Sequence, residues 1–395
     1  MNKPLNNIRV LDLTHMLSGP FCTMTLADLG ADLIKVEPIG GEGTRKLLAS
    51  DPKNSIDGMG AYFITLNRNK RSIAIDLKSE DGLRIFYDLV KTADVVINNY
   101  AAGVPAKLKI DYAHLSVVNP RIITCSGESG PGANRPAFDQ VAQAYGGGMS
   151  ITGTDASQPM RAGIPIGDLG GGMFGIMGVM SAIIERYSSG LGQHVDISML
   201  DVQVSLLNYM ATMHCLSGEN PHPIGNSHFV HVPYNSYPTA DGHIVICVLT
   251  DNFWQNLKAL VNCAELDKPE YDGQPGRLAD KNFIDKTLAD IFRLDTSANW
   301  LTKLNAARIP VAPVNNFAQA LSDPQIQHRN MLVELKHPAG KSTKGPGNPI
   351  KLSRSGEESF SAAPLLGQNT DEIMAELANY SAADTASLKA AGIIA

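Results

Sequence analysis

The sequence predicts an α/β protein built on a doubly wound, mostly parallel β-sheet, with a second, smaller domain. Over the first 130 residues short β-rich runs alternate with helical stretches, which is typical of strands joined by helices. The β-rich runs are apolar and rich in Val and Ile, as expected for strands that helices cover on both faces. With 395 residues, 44% of them hydrophobic, the chain is long enough for about two domains.

The elements of the predicted sheet follow one another along the first third of the chain. Each strand is a short run in which Val, Ile or Leu predominates. The strands are predicted at 9–13 (RVLDL), 32–36 (DLIKV), 72–76 (SIAID), 94–97 (DVVI) and 121–125 (RIITC). Helices are predicted between them at 20–29 and 80–92.

A long apolar helix is predicted at 170–187, in a part of the chain rich in glycine and methionine. Its small side chains allow other helices to approach closely. Membrane helices share this composition, but Glu185 and Arg186 close the segment and favour a helix inside a soluble protein. The sequence contains no uninterrupted apolar run of about 18 residues, the length needed to cross a membrane.

The chain changes character again after residue 225, where a smaller α+β domain is predicted. Residues 234–248 predict a hairpin that turns at Asp241-Gly242, a dipeptide suited to tight turns. Amphipathic helices are predicted at 252–261 and 286–294. Two further segments follow, an extended surface connection at 336–353 and a mainly helical tail at 369–395.

Composition and charge argue against several classes of protein. The net charge of −6 disfavours a general nucleic-acid binder. Five dispersed cysteines without a CxxC pair predict neither a disulfide framework nor a structural zinc site, and they suit a reducing compartment. Charged residues interrupt the short apolar stretch near the N-terminus, so no signal peptide is predicted. We expect a soluble, cytoplasmic protein without nucleic-acid, membrane or metal partners.

Residues 166–172 (IGDLGGG) form the sharpest chemical motif in the sequence. They place Asp168 among glycines, at a predicted turn from a strand into the long helix. One interpretation makes Asp168 an N-cap, which is worth about 1 kcal/mol. The other makes it a carboxylate nucleophile, beside N–H groups that stabilise an oxyanion at the helix N-terminus. The motif alone leaves both interpretations open.

Other motifs with known chemistry are weak or absent from the sequence. Residues 40–43 (GGEG) follow a strand but do not form a dinucleotide fingerprint. Neither a GxxxxGK[ST] phosphate loop nor a GxSxG serine motif occurs. The basic cluster 67–71 (NRNKR) is either a solvated turn or a place for nucleotide phosphates. His228 and His231 have no nearby cysteine or paired acid, so no metal site is predicted.

Seven segments, in order, resemble the class III coenzyme A-transferase family, which includes formyl-CoA, carnitine and benzylsuccinate CoA-transferases. The resemblance covers most of the chain and is densest from residue 8 to 200. The segments are 9–38 (RVLDLTHMLSGPFCTMTLADLGADLIKVEP), 67–78 (NRNKRSIAIDLK), 93–103 (ADVVINNYAAG), 119–132 (NPRIITCSGESGPG), 138–147 (FDQVAQAYGG), 166–172 (IGDLGGG) and 186–201 (RYSSGLGQHVDISMLD). On this resemblance, Asp168 is expected to be a nucleophile.

The resemblance implies a covalent mechanism. Asp168 attacks an acyl-CoA thioester to give a mixed anhydride and CoA thiolate. The thiolate returns to give an aspartyl-CoA thioester, and the acceptor carboxylate then takes the place of the donor acid. An anhydride is about as activated as a thioester, so the transfer needs no ATP. The N–H groups of Gly170, Gly171 and Gly172 are expected oxyanion donors. The CoA thioester is a substrate, and no permanently bound cofactor is expected.

The resemblance also implies a set of residues along the coenzyme. Lysines supply charge for phosphates, an asparagine supplies an amide and a tyrosine supplies an apolar face. The expected CoA-binding residues are His15, Met16, Ile75, Lys78, Asn99, Tyr100, Lys107, Phe138 and Asp139. Taken singly, Lys78 and Lys107 are equally compatible with solvated side chains, and Asn99 with a turn cap.

Two departures from the family pattern bear on the substrate. Family members that epimerise 2-methylacyl-CoA have an acid/base histidine where this chain has Phe138, which disfavours an epimerase. The stretch 218–232 has few glycines where formyl-CoA transferases have a glycine-rich loop, which puts a formyl or oxalyl substrate in doubt. We expect succinyl-CoA as donor and a dicarboxylate acceptor, whose second carboxylate would meet one or more of Arg161, Asn226, His228 and His231. An epimerase and a non-catalytic CoA-binding subunit remain the alternatives.

The family's architecture gives the expected domain organisation. A Rossmann-like large domain is expected over 1–210, a smaller α+β domain over 225–325, and a C-terminal segment over 326–395 that returns to the large domain. Family members form interlocked homodimers in which each ring-like subunit threads the other, and we expect the same assembly here.

Overall fold

Short strands and helices alternate along residues 3–127, 138–355 and 358–395, the part of the chain that this computed structural model describes. The strands are β1 (Arg9–Asp12), β2 (Asp32–Glu37), β3 (Ser55–Ile56), β4 (Met59–Gly60), β5 (Lys70–Ala74), β6 (Val95–Ile97), β7 (Ile123–Ser126), β8 (His194–Asp196), β9 (Tyr234–Pro238), β10 (His243–Cys247), β11 (Val311–Pro313), β12 (Leu332–Lys336) and β13 (Ser342–Pro346). The end of the 119–132 segment lies outside the described residues.

The helices connect these strands and cover them. They are α1 (Ser18–Asp28), α2 (Ala61–Leu66), α3 (Glu80–Val90), α4 (Val104–Lys107), α5 (Tyr112–Val118), α6 (Asp139–Tyr145), α7 (Gly148–Ile151), α8 (Ile166–Ser189), α9 (Met199–Leu207), α10 (Tyr209–Ser217), α11 (Asp251–Val261), α12 (Gln274–Ala279), α13 (Lys281–Phe292), α14 (Ser297–Ala306), α15 (Phe317–Ser322), α16 (Pro324–His328), α17 (Thr370–Glu376) and α18 (Ala382–Ala390). Short 3-10 turns occupy Gly43–Arg45, Ala264–Leu266 and Pro269–Tyr271.

Six strands form one parallel sheet in the order β5-β2-β1-β6-β7-β8, which confirms the predicted α/β class. From β1 the chain proceeds to β2 and β5 on one side, and then to β6, β7 and β8 on the other. The strand order therefore reverses between β1 and β6. In open sheets of this kind, ligands bind at the reversal point, outside the carboxyl ends of the strands. The ends of β1 and β6, at Asp12 and Ile97, mark that point.

Each face of the sheet has its own hydrophobic core, as the doubly wound arrangement requires. Successive side chains of a strand point to opposite faces, and in β1 Val10 enters one core and Leu11 the other. The Val10 core packs under α1 and α8, whereas the Leu11 core packs under α3 and α17. This arrangement explains the near-continuous apolar sequence of the strands.

The chain divides into two compact units. The large unit comprises residues 1–148, 162–212 and 327–395, and the small unit comprises 149–161 and 213–326. The small unit contains a three-stranded antiparallel sheet in the order β11-β10-β9. Its core includes the aromatic side chains of Trp254, Phe292 and Trp300. The predicted hairpin is confirmed as β9 and β10.

Four sequence predictions need correction. Strand β5 begins at Lys70 rather than at residue 72, because the buried Lys70 side chain is paired inside the protein. Residues 336–353 do not form a simple connection, since β12 and β13 pair as an antiparallel hairpin there. The edge strand β8 was not predicted because its three residues include two polar ones. The helical tail is interrupted between α17 and α18.

Candidate active site

Asp168 lies in the first turn of α8, not at a strand-to-helix turn. The helix begins at Ile166, four residues earlier than predicted, and the cap position is Pro165, which has no side-chain cap. Asp168 is half-buried. Within the described part of the chain, its carboxylate accepts no hydrogen bond from the free N–H groups in the first turn of α8. The N-cap interpretation of Asp168 is therefore wrong, and its carboxylate is not committed to stabilising the helix.

Asp139 caps α8 instead of Asp168. Asp139 is the first residue of α6, and its Oδ1 accepts hydrogen bonds from the N–H groups of Gly167 at 2.8 Å and Asp168 at 3.3 Å. Its Oδ2 accepts a bond of 2.8 Å from the amide of Gln143, whose own carbonyl oxygen accepts from the N–H of Ala162 at 2.9 Å. Asp139, predicted as a CoA-binding residue, thus holds the start of the helix that carries Asp168.

The surroundings of Asp168 favour its protonated form. Burial, and then the negative charge of Asp139, raise the pKa of Asp168 to about 6. The phenol of Tyr62, in α2, lies within the field of Asp168 and two other carboxylates, and its burial together with those charges raises its pKa to about 12. Ionisable groups with perturbed pKa values that lie close together are typical of active sites. Tyr62 could not be identified from the sequence, because no motif marks it and only the fold brings it near Asp168.

The glycines after Asp168 serve packing rather than oxyanion binding. Gly170, Gly171 and Gly172 lie inside α8, where each N–H bonds the carbonyl four residues earlier. A Cβ built on Gly172 would lie 2.7 Å from the backbone oxygen of Ser18, and one on Gly171 would lie 2.7 Å from the Ser18 hydroxyl oxygen. The oxyanion role predicted for Gly170 and Gly171 therefore does not fit this helix; glycine is needed there so that α1 and α9 can approach.

Three of the predicted CoA-binding residues meet at the sheet's reversal point. The loop after β1 carries His15, whose N–H donates to Oδ1 of Asn99 at 2.9 Å and whose carbonyl accepts from Nδ2 of Asn99 at 2.7 Å. The rings of His15 and Tyr100 lie with centroids 5.7 Å apart. Burial is the main cause that lowers the pKa of His15. Because both ends of the Asn99 amide bind His15, Asn99 holds this loop.

The other predicted CoA-binding residues lie in varied surroundings. Met16 follows His15 with a left-handed φ of 62° and is 40% exposed. The side chain of Ile75 is packed in a hydrophobic core, and its N–H donates to the Glu37 carbonyl at 2.8 Å, so neither group is available to a ligand. Lys78 and Lys107 are exposed, as phosphate-binding lysines would be. Phe138 is 62% exposed and precedes α6.

The residues considered for a second carboxylate or a metal lie in the small unit. The ring of His228 stacks on Phe229 and lies 4.7 Å from the ring of His231, between centroids. Asn226 donates to the hydroxyl of Ser236 at 2.7 Å. Over the described part of the chain, no group of three or more His, Cys, Asp or Glu side chains is placed to hold a metal ion.

A half-buried carboxylate with a raised pKa, one helical turn before the glycine that packs on Ser18 in the segment after β1, gives this α/β protein an acidic candidate site. The chain belongs to CoA-transferase family III, whose family model matches residues 5–370, and it is an enzyme that transfers CoA. It is 36% identical over 389 residues to a succinyl-CoA:mesaconate CoA-transferase of Haloarcula hispanica, covering 94% of this chain and 96% of the relative. It is 31% identical to the human succinyl-CoA:glutarate CoA-transferase, covering 99% of this chain and 90% of the relative.

Solved structures show the same fold. A CAIB/BAIF family protein from Brucella suis superposes with a TM-score of 0.85 at 32% identity, covering 95% of this chain and all of that one. The family resemblance inferred from seven sequence segments is thereby confirmed. The parallel sheet and its helices are those of the family.

Proposed function

We propose that this enzyme transfers CoA from succinyl-CoA to a dicarboxylic acid through covalent intermediates on Asp168. The observation that carries the proposal is a carboxylate in the first turn of α8 that does not cap the helix, with Asp139 capping in its place. A nucleophilic carboxylate needs an oxygen that another hydrogen bond does not occupy. That the helix N–H groups are bound by Asp139 and not by Asp168 supports this role.

The proposed reaction has four balanced steps. A carboxylate oxygen of Asp168 attacks the thioester carbonyl carbon, the C–S bond breaks, and CoA leaves as thiolate. The thiolate attacks the Asp168 carbonyl of the resulting anhydride and releases succinate. The acceptor carboxylate attacks the carbonyl carbon of this aspartyl-CoA thioester, which gives a second anhydride and again frees CoA thiolate. The thiolate finally attacks the acceptor's acyl carbonyl, which yields acceptor-CoA and restores the Asp168 carboxylate.

The choice of substrates rests on the relatives. Those in Haloarcula hispanica, human and Agrobacterium fabrum are named for succinate or succinyl-CoA together with mesaconate or glutarate.

We propose that the coenzyme lies along His15, Met16 and Tyr100 at the reversal point, with Lys78 and Lys107 reaching its phosphates. The five cysteines are unpaired, which supports the proposed cytoplasmic location.

The proposal is tested by trapping the intermediate. The protein is incubated with succinyl-CoA, without an acceptor, and its intact mass is measured before and after treatment with hydroxylamine. We expect an adduct of CoA less one water, which hydroxylamine converts into a hydroxamate on the peptide containing Asp168. Parallel incubations with acetyl-CoA and with formyl-CoA measure donor choice. Absence of an adduct with all three donors would reject the covalent route.

The raised pKa of Asp168 predicts the pH dependence of the first half-reaction. Only the ionised carboxylate attacks the thioester, so the rate of succinate release rises with pH through a midpoint near 6 and levels off above it. Asp139→Asn keeps an oxygen that accepts the two helix N–H bonds but removes the negative charge. This variant lowers the pKa of Asp168 and moves the midpoint of the rate profile to lower pH. Quench-flow measurement of succinate release between pH 4.5 and 8 checks this, over a range set around that pKa.

A distant acid provides the control for the pH profile. Asp81 is about half exposed and pairs with Arg84 in α3, so Asp81→Asn leaves the midpoint unchanged. The raised pKa of Asp168 has burial as its first cause, so the midpoint of Asp139→Asn stays above the ordinary value of 3.8. A midpoint that stays at the wild-type position in Asp139→Asn would show that Asp139 does not act on Asp168 through its charge.

We also propose that the enzyme is the interlocked homodimer that its family resemblance implies. Helix α8 is long and apolar enough to cross a membrane by length and composition, and 44% of its most apolar stretch is buried within this chain. Met173, Met177, Ile184 and Tyr187 recur at helical spacing and are 42%, 52%, 64% and 80% exposed. An apolar stripe of this kind marks a contact surface, and a second copy of the chain would cover it.

Sedimentation velocity of the full chain tests the assembly. We expect one species of twice 42.3 kDa, and no dissociation on dilution because interlocked rings cannot separate while folded. Ile184→Glu places a charge in the stripe and lowers the yield of dimer. Val117→Glu, at a position 83% exposed on α5, leaves it unchanged. A wild-type monomer at micromolar concentration, or binding of the protein to phospholipid vesicles, would contradict the dimer.

A further inference from the structure

The loop after β1 is held by three side chains from three different places in the sheet. Oδ1 of Asp12 accepts from the N–H of Thr14 at 2.9 Å, and Nζ of Lys35, in β2, donates to the Thr14 carbonyl at 2.9 Å. Asn99, after β6, binds both the N–H and the carbonyl of His15. Four consecutive backbone groups are thus fixed by side chains. Loops more often leave such groups to water, so this loop has a defined shape before any ligand arrives.

Lys35 contributes a fully buried ammonium group with few direct contacts. Its side chain is 0% exposed, and its nearest carboxylate oxygen, on Glu42, is 3.9 Å away. Its bond to Thr14 is the one hydrogen bond that the described residues give its ammonium group. The charge of Lys35 also acts on the buried carboxylates of Asp12 and Glu37, where it helps to lower their pKa values against the effect of burial. Lys35 therefore supplies two things at once, compensation of buried negative charge and the bond that fixes the Thr14 carbonyl.

The loop that Lys35 holds lies against the catalytic helix. After Thr14 and His15 the backbone turns through Met16, whose φ of 62° is left-handed, and enters α1 at Ser18. The backbone oxygen of Ser18 packs against Gly172 of α8, one turn beyond Asp168. A shift of the Thr14 carbonyl would therefore move both His15 and the contact between α1 and the helix that carries Asp168.

We propose that Lys35 is a positioning residue, which fixes the loop Thr14–Met16 in the shape that receives the coenzyme. The inference rests on the proposed function, because it assigns that loop to CoA. Lys35 acts through the Thr14 carbonyl and contributes no group to the reaction. Its role differs from that of Lys70, whose ammonium binds the Asp12 carboxylate beneath the loop.

The test compares Lys35→Met with Lys35→Gln in the full-length protein. Methionine fills the space without a donor, whereas glutamine restores an N–H donor without the charge. We expect CoA affinity, measured by isothermal titration calorimetry, to fall at least tenfold in Lys35→Met and to recover in part in Lys35→Gln. Both variants remove the charge that compensates buried carboxylates, so both melt below the wild type by similar amounts. Recovery of CoA affinity in Lys35→Gln without recovery of its melting temperature is a result that a merely structural role does not give. Lys53→Met, on the surface, changes neither quantity.

A second readout separates this inference from the proposed function. Hydrogen exchange of the Thr14 and His15 amides becomes faster in Lys35→Met whether or not CoA is the ligand. Failure of the wild type to bind CoA would reject the proposed function. In that case the exchange rates alone would decide whether Lys35 fixes the loop. Unchanged exchange in Lys35→Met, unchanged CoA affinity in Lys35→Met, or equal affinity losses in Lys35→Met and Lys35→Gln would each overturn the positioning role.

Discussion

Asp168→Asn abolishes CoA transfer, with an expected loss of at least about a thousandfold in kcat, the order seen when a catalytic nucleophile is removed. Asparagine has nearly the shape of aspartate, and the start of α8 is capped by Asp139, so the fold is retained. Asp168→Glu keeps the carboxylate but moves it by one methylene, and displacement of a reacting atom by about 1 Å costs on the order of a hundredfold. Rates are measured from succinyl-CoA to glutarate by separating the CoA esters.

Asp168→Asn also stabilises the protein, by an amount that depends on pH. The pKa of Asp168 is raised from 3.8 to about 6 in the folded chain, so the folded state binds this proton more tightly than the unfolded state. The carboxylate therefore costs stability progressively as pH rises from about 4 to about 6, and the whole cost is present above 6. Asp168→Asn removes that cost. Its melting temperature exceeds the wild-type value at pH 8 and approaches it at pH 4.

Two results would contradict this account of Asp168. Transfer that survives in Asp168→Asn would show that another group is the nucleophile. A variant less stable than the wild type at pH 8 would show that Asp168 stabilises the fold rather than being retained for activity at a cost. Circular dichroism at each pH confirms that the variants compared are folded.

The strands could be predicted because their local sequence carries the signal. Short apolar runs such as 9–13 and 32–36 are buried on both faces, and neither needs information from elsewhere in the chain. Strand β5 shows the limit of this reasoning. Its first residue, Lys70, looks solvent-exposed in the sequence, and only its pairing with Asp12, 58 residues earlier, places it inside the sheet.

The candidate site was predictable in its central residue but not in its supports. The acid among glycines marked Asp168, and the family segments made it a nucleophile. The roles of its neighbours depend on contacts between distant segments. Asp139 reaches the start of α8 across 28 residues, and Gly172 is required by the backbone of Ser18. No local pattern distinguishes a glycine that frees an N–H from one that admits a neighbouring helix.

The buried ion pair between Asp12 and Lys70 gives the largest expected effect on stability. Both side chains are 0% exposed, and Nζ of Lys70 lies 2.9 Å from Oδ2 of Asp12. The pair is well bonded, because Lys70 also donates to Thr23 and Asn67, while Asp12 accepts from Thr14. Removing one partner of such a pair leaves an uncompensated buried charge, which costs about 3–5 kcal/mol. We expect Lys70→Met to lower the free energy of unfolding at pH 7 by that amount.

The unpaired charge of Asp12, rather than a change in side-chain volume, causes the stability loss in Lys70→Met. Neutralising Asp12 should therefore reverse that loss. In Lys70→Met/Asp12→Asn no ion is left unpaired, and we expect most of the lost stability to return. Lys389→Met is the control, because Lys389 pairs with Asp371 at 2.8 Å with both side chains exposed. Exposed pairs contribute about 0–1 kcal/mol. Equal losses in Lys70→Met and Lys389→Met in urea unfolding would contradict the argument.

The pH dependence of these variants separates the charge from packing. In the wild type, bonding and the charges of Lys70 and Lys35 outweigh burial and lower the pKa of Asp12 to about 2, so this carboxylate adds stability above about pH 4 that is lost as pH falls towards 2. Without Lys70, burial dominates and raises the pKa of Asp12. Lys70→Met therefore loses least stability at acidic pH and most at neutral pH. A loss that does not vary between pH 4.5 and 7.5 would place its cause in packing.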